Sequence, residues 1–236
     1  MNENTGIIKQ MLIVTDGRSN IGISPIEAAA KAKSMGITVS AIGIIDNDLK
    51  GEEDVLEIEA IAKAGGGLSD YCYLDNLGET MQAMTQKTVN YTLECIVSKQ
   101  LRSLIGKDMT NIEPESRMKI VEFIENYGDR VDLLYVILLD TSKSMMNKLD
   151  TAKKCVADLL EVLNNRKGTS KLALISYPGE NGNITSVVSD FTSEVSVLKE
   201  GMKRLKAKGG TPTGPAIEAA IDLIMEQSSS ARVYYV

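Results

Sequence analysis

Apolar residues along this chain fall into two alternating patterns: short aliphatic runs, and longer segments with apolar residues at helical spacing. Met11, Leu12, Ile13 and Val14 form the first run, ended by Asp16-Gly17, which predicts a strand over 11–15. Ser24-Pro25-Ile26-Glu27 then carries the marks of a helix start: a serine cap, proline in the first helical position and a glutamate three residues after the serine. That helix is predicted to reach Met35 and to stop at Gly36. Residues 37–45 read as a strand, 52–64 as a helix ending in Gly65-Gly66-Gly67, 71–74 as a short strand and 78–105 as a long helix. The texture changes over 106–130, where a polar, turn-like stretch leads into a charged amphipathic helix over 116–127; this reads as a connector. The most continuous aliphatic run, 133–139, follows, as expected for a parallel strand covered on both faces. Beyond it the pattern predicts a helix over 148–163, strands over 171–176 and 184–188, and helices over 195–205 and 214–225. Strands alternating with helices predict an α/β fold with a doubly wound, mostly parallel sheet.

Composition narrows the chemistry. The 236 residues suffice for one large α/β domain or two small ones. The absence of histidine removes imidazole acid/base catalysis and most zinc sites. Three scattered cysteines, Cys72, Cys95 and Cys155, lack the spacing of a zinc site or a disulfide framework. Together with the absence of a basic-then-apolar leader, they make a reducing cytoplasm the expected location. The net charge of −6 argues against nucleic acid, and no apolar run is long enough for membrane insertion.

Asp140-Thr141-Ser142-Lys143-Ser144 stands at the end of the aliphatic run 133–139. A carboxylate followed at two-residue intervals by two hydroxyls offers hard oxygen donors of the kind that Mg²⁺ (or Mn²⁺) takes. Alone, such a string also serves as a turn or a helix cap. Two further fragments carry suitable oxygens. Thr211 lies in Gly209-Gly210-Thr211-Pro212-Thr213-Gly214-Pro215 before a predicted helix, and Asp16 ends the first predicted strand.

Asp-x-Ser-x-Ser after an aliphatic strand, Gly-Gly-Thr-Pro-x-Gly before a helix, and Ile-Val-Thr-Asp-Gly after another strand together resemble the metal-ion-dependent adhesion site of von Willebrand factor A (vWA) domains. The resemblance covers nearly the whole chain apart from the connector. It implies a six-stranded Rossmann-like sheet and a non-enzymatic module that binds proteins. Ser142 and Ser144 would be direct metal ligands, and Asp140, Asp16 and Thr211 would bind directly or through water. A partner's Asp or Glu would complete the coordination. Met145, Met146 and Thr213, next to these residues, are candidates for the rim a partner touches; Thr211, not Thr213, aligns with the family's threonine.

The order of the motifs departs from the family. There the Asp-x-Ser-x-Ser strand comes first; here the Thr-Asp-Gly part precedes it. The resemblance therefore implies one circularly permuted domain, similar to the YabS-like group of spore-forming bacteria. Residues 1–105 would be the C-terminal half of the vWA fold, 106–130 a helical connector and 131–236 the N-terminal half. The implied strand order is 184–188, 171–176, 133–139, 11–15, 37–45, 71–74, with Asp140 and Asp16 at the switch point where ligands bind in such sheets. Two other readings remain open at this level. Asp140 could be the nucleophile of a Mg²⁺-dependent phosphoryl-transfer enzyme, although Ser142 stands where such enzymes need a second acid. The chain could also be two truncated tandem vWA domains, with 231–236 beginning a cut strand.

Overall fold

The computed structural model describes residues 6–45, 52–106 and 109–232. In chain order its elements are β1 (Ile7–Thr15), α1 (Pro25–Ser34), β2 (Ile37–Ile45), α2 (Glu52–Gly65), β3 (Gly66–Tyr73), α3 (Leu77–Ile105), α4 (Pro114–Gly128), β4 (Asp132–Asp140), α5 (Leu149–Leu163), β5 (Ser170–Tyr177), β6 (Ser186–Thr192), α6 (Val195–Met202) and α7 (Thr213–Arg232). All the strands join one six-stranded sheet in the order β3-β2-β1-β4-β5-β6. Every pairing is parallel except β5 with β6.

The centre of the sheet is the pair β1 and β4, in continuous register from Ile7 opposite Asp132 to Val14 opposite Leu139. Period-two alternation divides β4 between two cores. Leu133, Tyr135, Ile137 and Leu139 face a core completed by Met81 and Val89 of α3, Val156 and Leu160 of α5, and Leu198 of α6. Val136 and Leu138 face the other core, built with the alanines of α1, Ile58 and Ile61 of α2, and Ile217 and Ile221 of α7. Burial on both faces explains the uninterrupted aliphatic run. Helix α4 packs on α3. The Arg166 guanidinium donates to the carbonyls of Gly128 and Val131 and to the Ser170 hydroxyl, tying the end of α4 to the starts of β4 and β5.

The predicted elements are present in the predicted sheet order, with several shifted ends. β1 begins at Ile7, since Lys9 and Gln10 break the aliphatic pattern while the strand still pairs with β4. β3 opens at Gly66 in place of position 71. A side chain on Gly67 would come 2.3 Å from the Val39 carbonyl oxygen, so this strand start can lie against β2 only without one. β6 lies later than 184–188, and Ile184 and Thr185 belong to the turn before it. As a half-exposed edge strand it has little aliphatic signal. A 3₁₀ turn over Lys143–Asn147 separates Asp140 from α5. Helix α6 ends at Met202, short of Leu205. Helix α7 runs past Met225 because its polar last turns contain no glycine or proline. The strand-like ending read over 231–236 lies outside the described residues, apart from Ala231 and Arg232, which close α7.

Residues 17–24, between β1 and α1, pack on the start of α7. A Cβ at Gly214 would meet the Ile23 carbonyl oxygen at 2.1 Å, a backbone contact that cannot swing aside. Gly214→Ala is expected to destabilise the chain by about 1–3 kcal/mol, measured by denaturant unfolding. Gly6→Ala, at a position with nothing within 4 Å of the added carbon, is the control and should change little.

Candidate metal centre

Asp140 ends a strand that is buried along its length and is itself fully buried. Its carboxylate is held at both oxygens. Oδ1 accepts the Ser142 backbone N–H at 2.7 Å, which folds the chain back just after the strand. Oδ2 accepts the Thr15 hydroxyl at 2.6 Å. The β1–β4 register places Val14 opposite Leu139, so the next residues, Thr15 and Asp140, emerge side by side. Burial pushes the Asp140 carboxyl up to about 6; the Thr15 and Ser142 hydrogen bonds oppose this and the nearby Asp16 charge adds to it.

Asp16, one residue past β1, has a side chain only 1% exposed. Its Oδ1 accepts the Ser144 hydroxyl at 2.7 Å, and the Ser144 and Ser142 hydroxyls are 2.9 Å apart. The four residues are thus linked by hydrogen bonds from one to the next, drawn from segments 128 positions apart at the Ser144–Asp16 contact. Among the described residues no three Asp, Glu, Cys or His side chains gather. A cation here would rely on two carboxylates and hydroxyls, a donor set of hard oxygens that suits Mg²⁺ and offers no soft ligand.

The loop carrying Thr211 is pinned between the other two. Lys208 N–H donates to the Thr141 carbonyl at 2.8 Å, and Lys143 N–H donates to the Gly209 carbonyl at 3.2 Å. On the far side the Asn20 side chain accepts the Thr211 N–H at 2.8 Å, and Asn20 N–H returns a bond of 3.0 Å to the Thr211 carbonyl. Thr211 is buried in this position, and among the described hydrogen bonds none joins its hydroxyl to the Asp140–Ser142–Ser144–Asp16 run.

The expected rim needs correction. Met145 is fully buried in the core beside α5, and Thr213 is buried at the start of α7, next to the Tyr177 hydroxyl. Both face inward because the 3₁₀ turn and the first turn of α7 point those positions at the sheet. Of the three, only Met146 presents a surface, 60% exposed.

Two features escaped the pattern of the sequence. The first is Lys148, whose ammonium lies 2.5 Å from Asp16 Oδ2 with its side chain 8% exposed. The site therefore holds one cation of its own beside two carboxylates. The second is Tyr177, fully buried near the Thr15 and Thr213 hydroxyls without a well-formed hydrogen bond. Burial raises its phenol well above the ordinary value and the Asp140 charge raises it further. A buried lysine one helical turn past Ser144 looks like any surface residue in a sequence. Thr15 as the partner of Asp140 follows only from the strand register.

Comparison with known proteins places the chain in a family. Residues 135–236 and residues 1–87 each match the von Willebrand factor type A domain. The chain is 38% identical over 219 residues to protein YabS of Bacillus subtilis (strain 168), covering 92% of this chain and 89% of that protein. It superposes on the crystal structure of a protein from Alicyclobacillus acidocaldarius with a TM-score of 0.87 and 37% identity, covering 95% of this chain and 97% of the other. Members of the matched family often bind a divalent metal ion at a metal-ion-dependent adhesion site and mediate protein interactions. With both halves matched, a relative of this identity along nearly its full length and the shared six-stranded sheet, the chain belongs to the von Willebrand factor type A domain family.

Proposed function

We propose that this chain is a non-enzymatic binding domain that holds Mg²⁺ (or Mn²⁺) through Asp140, Ser142, Ser144, Asp16 and Thr211, and through it captures an Asp or Glu of a partner protein. The observation that carries the reading is the Ser144–Asp16 hydrogen bond, at the end of a chain of hydrogen bonds that starts at Asp140. Bound at this place, the ion would supply an electrophilic position for an incoming carboxylate. The chain's own residues orient the donors. Thr15 and the Ser142 N–H fix Asp140, and the Asn20 and Gly209 contacts fix the threonine loop. We also read the chain as one circularly permuted domain, with 1–105 and 131–236 as exchanged halves and 106–130 as the connector. The sheet favours this over two truncated tandem domains, because β1 lies between β2 and β4 and joins the two segments in one layer. A cytoplasmic location remains part of the proposal; among the described residues no helix is long and apolar enough to cross a membrane.

Titration calorimetry should find one saturable Mg²⁺ site, and thermal unfolding should shift upward with Mg²⁺ and back with EDTA. At about 100 times the dissociation constant the gain is about 2.7 kcal/mol. Asp140→Ala and Ser142→Ala should abolish the site while circular dichroism stays native; a heat trace without saturation in the unmodified chain sinks the reading.

The buried carboxyl sets a pH dependence. With Asp140 raised from 3.8 to about 6, the metal-free protein gains stability from its protonated form below the unfolded value. That gain is lost as pH rises through about 6. Metal needs the ionised form, so its effect runs the other way. The Mg²⁺-induced rise in melting temperature should be small at pH 5 and full at pH 7.5, with proton release on binding near pH 5.5. A shift independent of pH over this range would rule out Asp140 as the titrating ligand.

Lys148→Met removes the ammonium from Asp16. The metal-free variant should lose about 3–5 kcal/mol, as for a buried pair deprived of one partner. Its Mg²⁺ affinity should rise, since the ion no longer shares Asp16 with an internal cation. Unchanged stability and unchanged affinity together would show that the pair plays no part at the site.

A further inference from the structure

Next to the candidate metal centre lies a cleft of about 300 Å³, walled by Ile21, Pro178, Ile184, Pro212, Lys208 and Gly209. It shares a wall with the metal loops, because Gly209, which lines it, accepts at its carbonyl the N–H of Lys143, the residue between Ser142 and Ser144. Its size is at the bottom of the range of about 300–1,000 Å³ typical of ligand pockets, which suits one or two side chains better than a whole metabolite. Its two isoleucines are 45% and 54% exposed, yet both sit on chain held in place. Ile21 follows Asn20, which is doubly bonded to Thr211. Ile184 closes a turn in which the Gly179 N–H meets the Ile184 carbonyl at 3.0 Å and the Glu180 N–H meets the Ser186 hydroxyl at 2.8 Å. The two isoleucines are not isolated: with Pro178 and Pro212 they line one concave apolar surface, and a contiguous patch of that kind marks a contact site where single exposed side chains do not. Lys143 and Lys208 are exposed beside the metal loops, so the surroundings favour an acidic segment over a neutral one.

We infer that the partner segment carries an aliphatic or aromatic residue within about three positions of its metal-binding acid, roughly 10 Å of extended chain, and that this side chain seats between Ile21 and Ile184. The inference rests on the metal-site reading and specifies its partner. The acid gives metal dependence, and the apolar neighbour gives selectivity and burial at the centre of the contact.

The test is selection of random heptapeptides displayed on phage against the full chain in Mg²⁺, with EDTA elution and sequencing. The same selection is run on the Ile21→Ser/Ile184→Ser double variant, whose Mg²⁺ affinity is measured by calorimetry. Both positions are exposed, so the variant should fold and keep its metal affinity. The unmodified chain should enrich Asp or Glu with Leu, Ile, Val or Phe within three positions. The variant should keep the acid but lose the apolar preference, and a selected peptide should bind it about tenfold or more weakly. Acidic sequences with random neighbours, or the same sequences from both proteins, overturn the cleft and leave the metal site standing. Absence of EDTA-sensitive acidic sequences overturns both, and the calorimetry on the unmodified chain shows whether metal binding itself failed.

Discussion

The arrangement of the site rests on one pairing, β1 alongside β4. Parallel strands in register bring their carboxyl ends to the same level, so the residues just past Val14 and Leu139 must share space. Those residues are Thr15, Asp16 and Asp140. Their proximity follows from backbone register and is independent of the order in which the chain supplies the strands. A slip of one residue between β1 and β4 would turn every side chain of one strand to the opposite core. The aliphatic faces of both strands therefore enforce the register, and the register aligns the carboxylates. Packing thus sets the geometry that the candidate chemistry uses.

Charge at the site is balanced more tightly than two carboxylates alone would be. Asp140 is deep enough for burial to raise its proton affinity, and Asp16 is paired with Lys148. Removing charge from water in both places is costly, and each is compensated locally. Asp140 receives two hydrogen-bond donors, while Asp16 receives the Ser144 hydroxyl and an ammonium. A divalent ion would have to compete with these existing partners, which places its affinity under the control of residues outside the three-part motif.

Much of the framework was legible in the sequence because it depends on local signals. The aliphatic run 133–139, the Ser24-Pro25 helix start and the three oxygen-bearing motifs each express one short-range rule. What escaped depends on contacts between distant segments. Lys148 sits at a helix start like an ordinary solvent-facing lysine, and only the fold turns it toward Asp16. Gly66-Gly67 looks like a loop until β2 lies against it. β6 is an edge strand with one side to water, so its hydrophobic pattern is weak and does not mark its start at Ser186. Met145 and Met146 are adjacent and chemically identical, yet the 3₁₀ turn buries one and exposes the other. Periodicity at a turn of three residues cannot be read from two positions.

The proposed permutation gains a physical rationale from the same pairing. In an open parallel sheet the ends of the strands carry the site, while the connections run over the faces and edges. Cutting the chain at one connection and joining it at another leaves the strand register intact. In the proposed reading residues 106–130 would be such a join, and its helix lies far from the oxygens: α4 packs on α3, and Arg166 clamps its end where β4 begins, at the opposite end of that strand from Asp140. A connector at that end would be free to vary in length and sequence without moving Asp140 or Asp16. The loops at the other end have no such freedom, because Lys143, Gly209, Asn20 and Thr211 are bonded to one another across three separate segments. Selection for a partner would therefore act on exposed positions such as Ile21, Ile184 and Met146, which can change without breaking that lattice of hydrogen bonds.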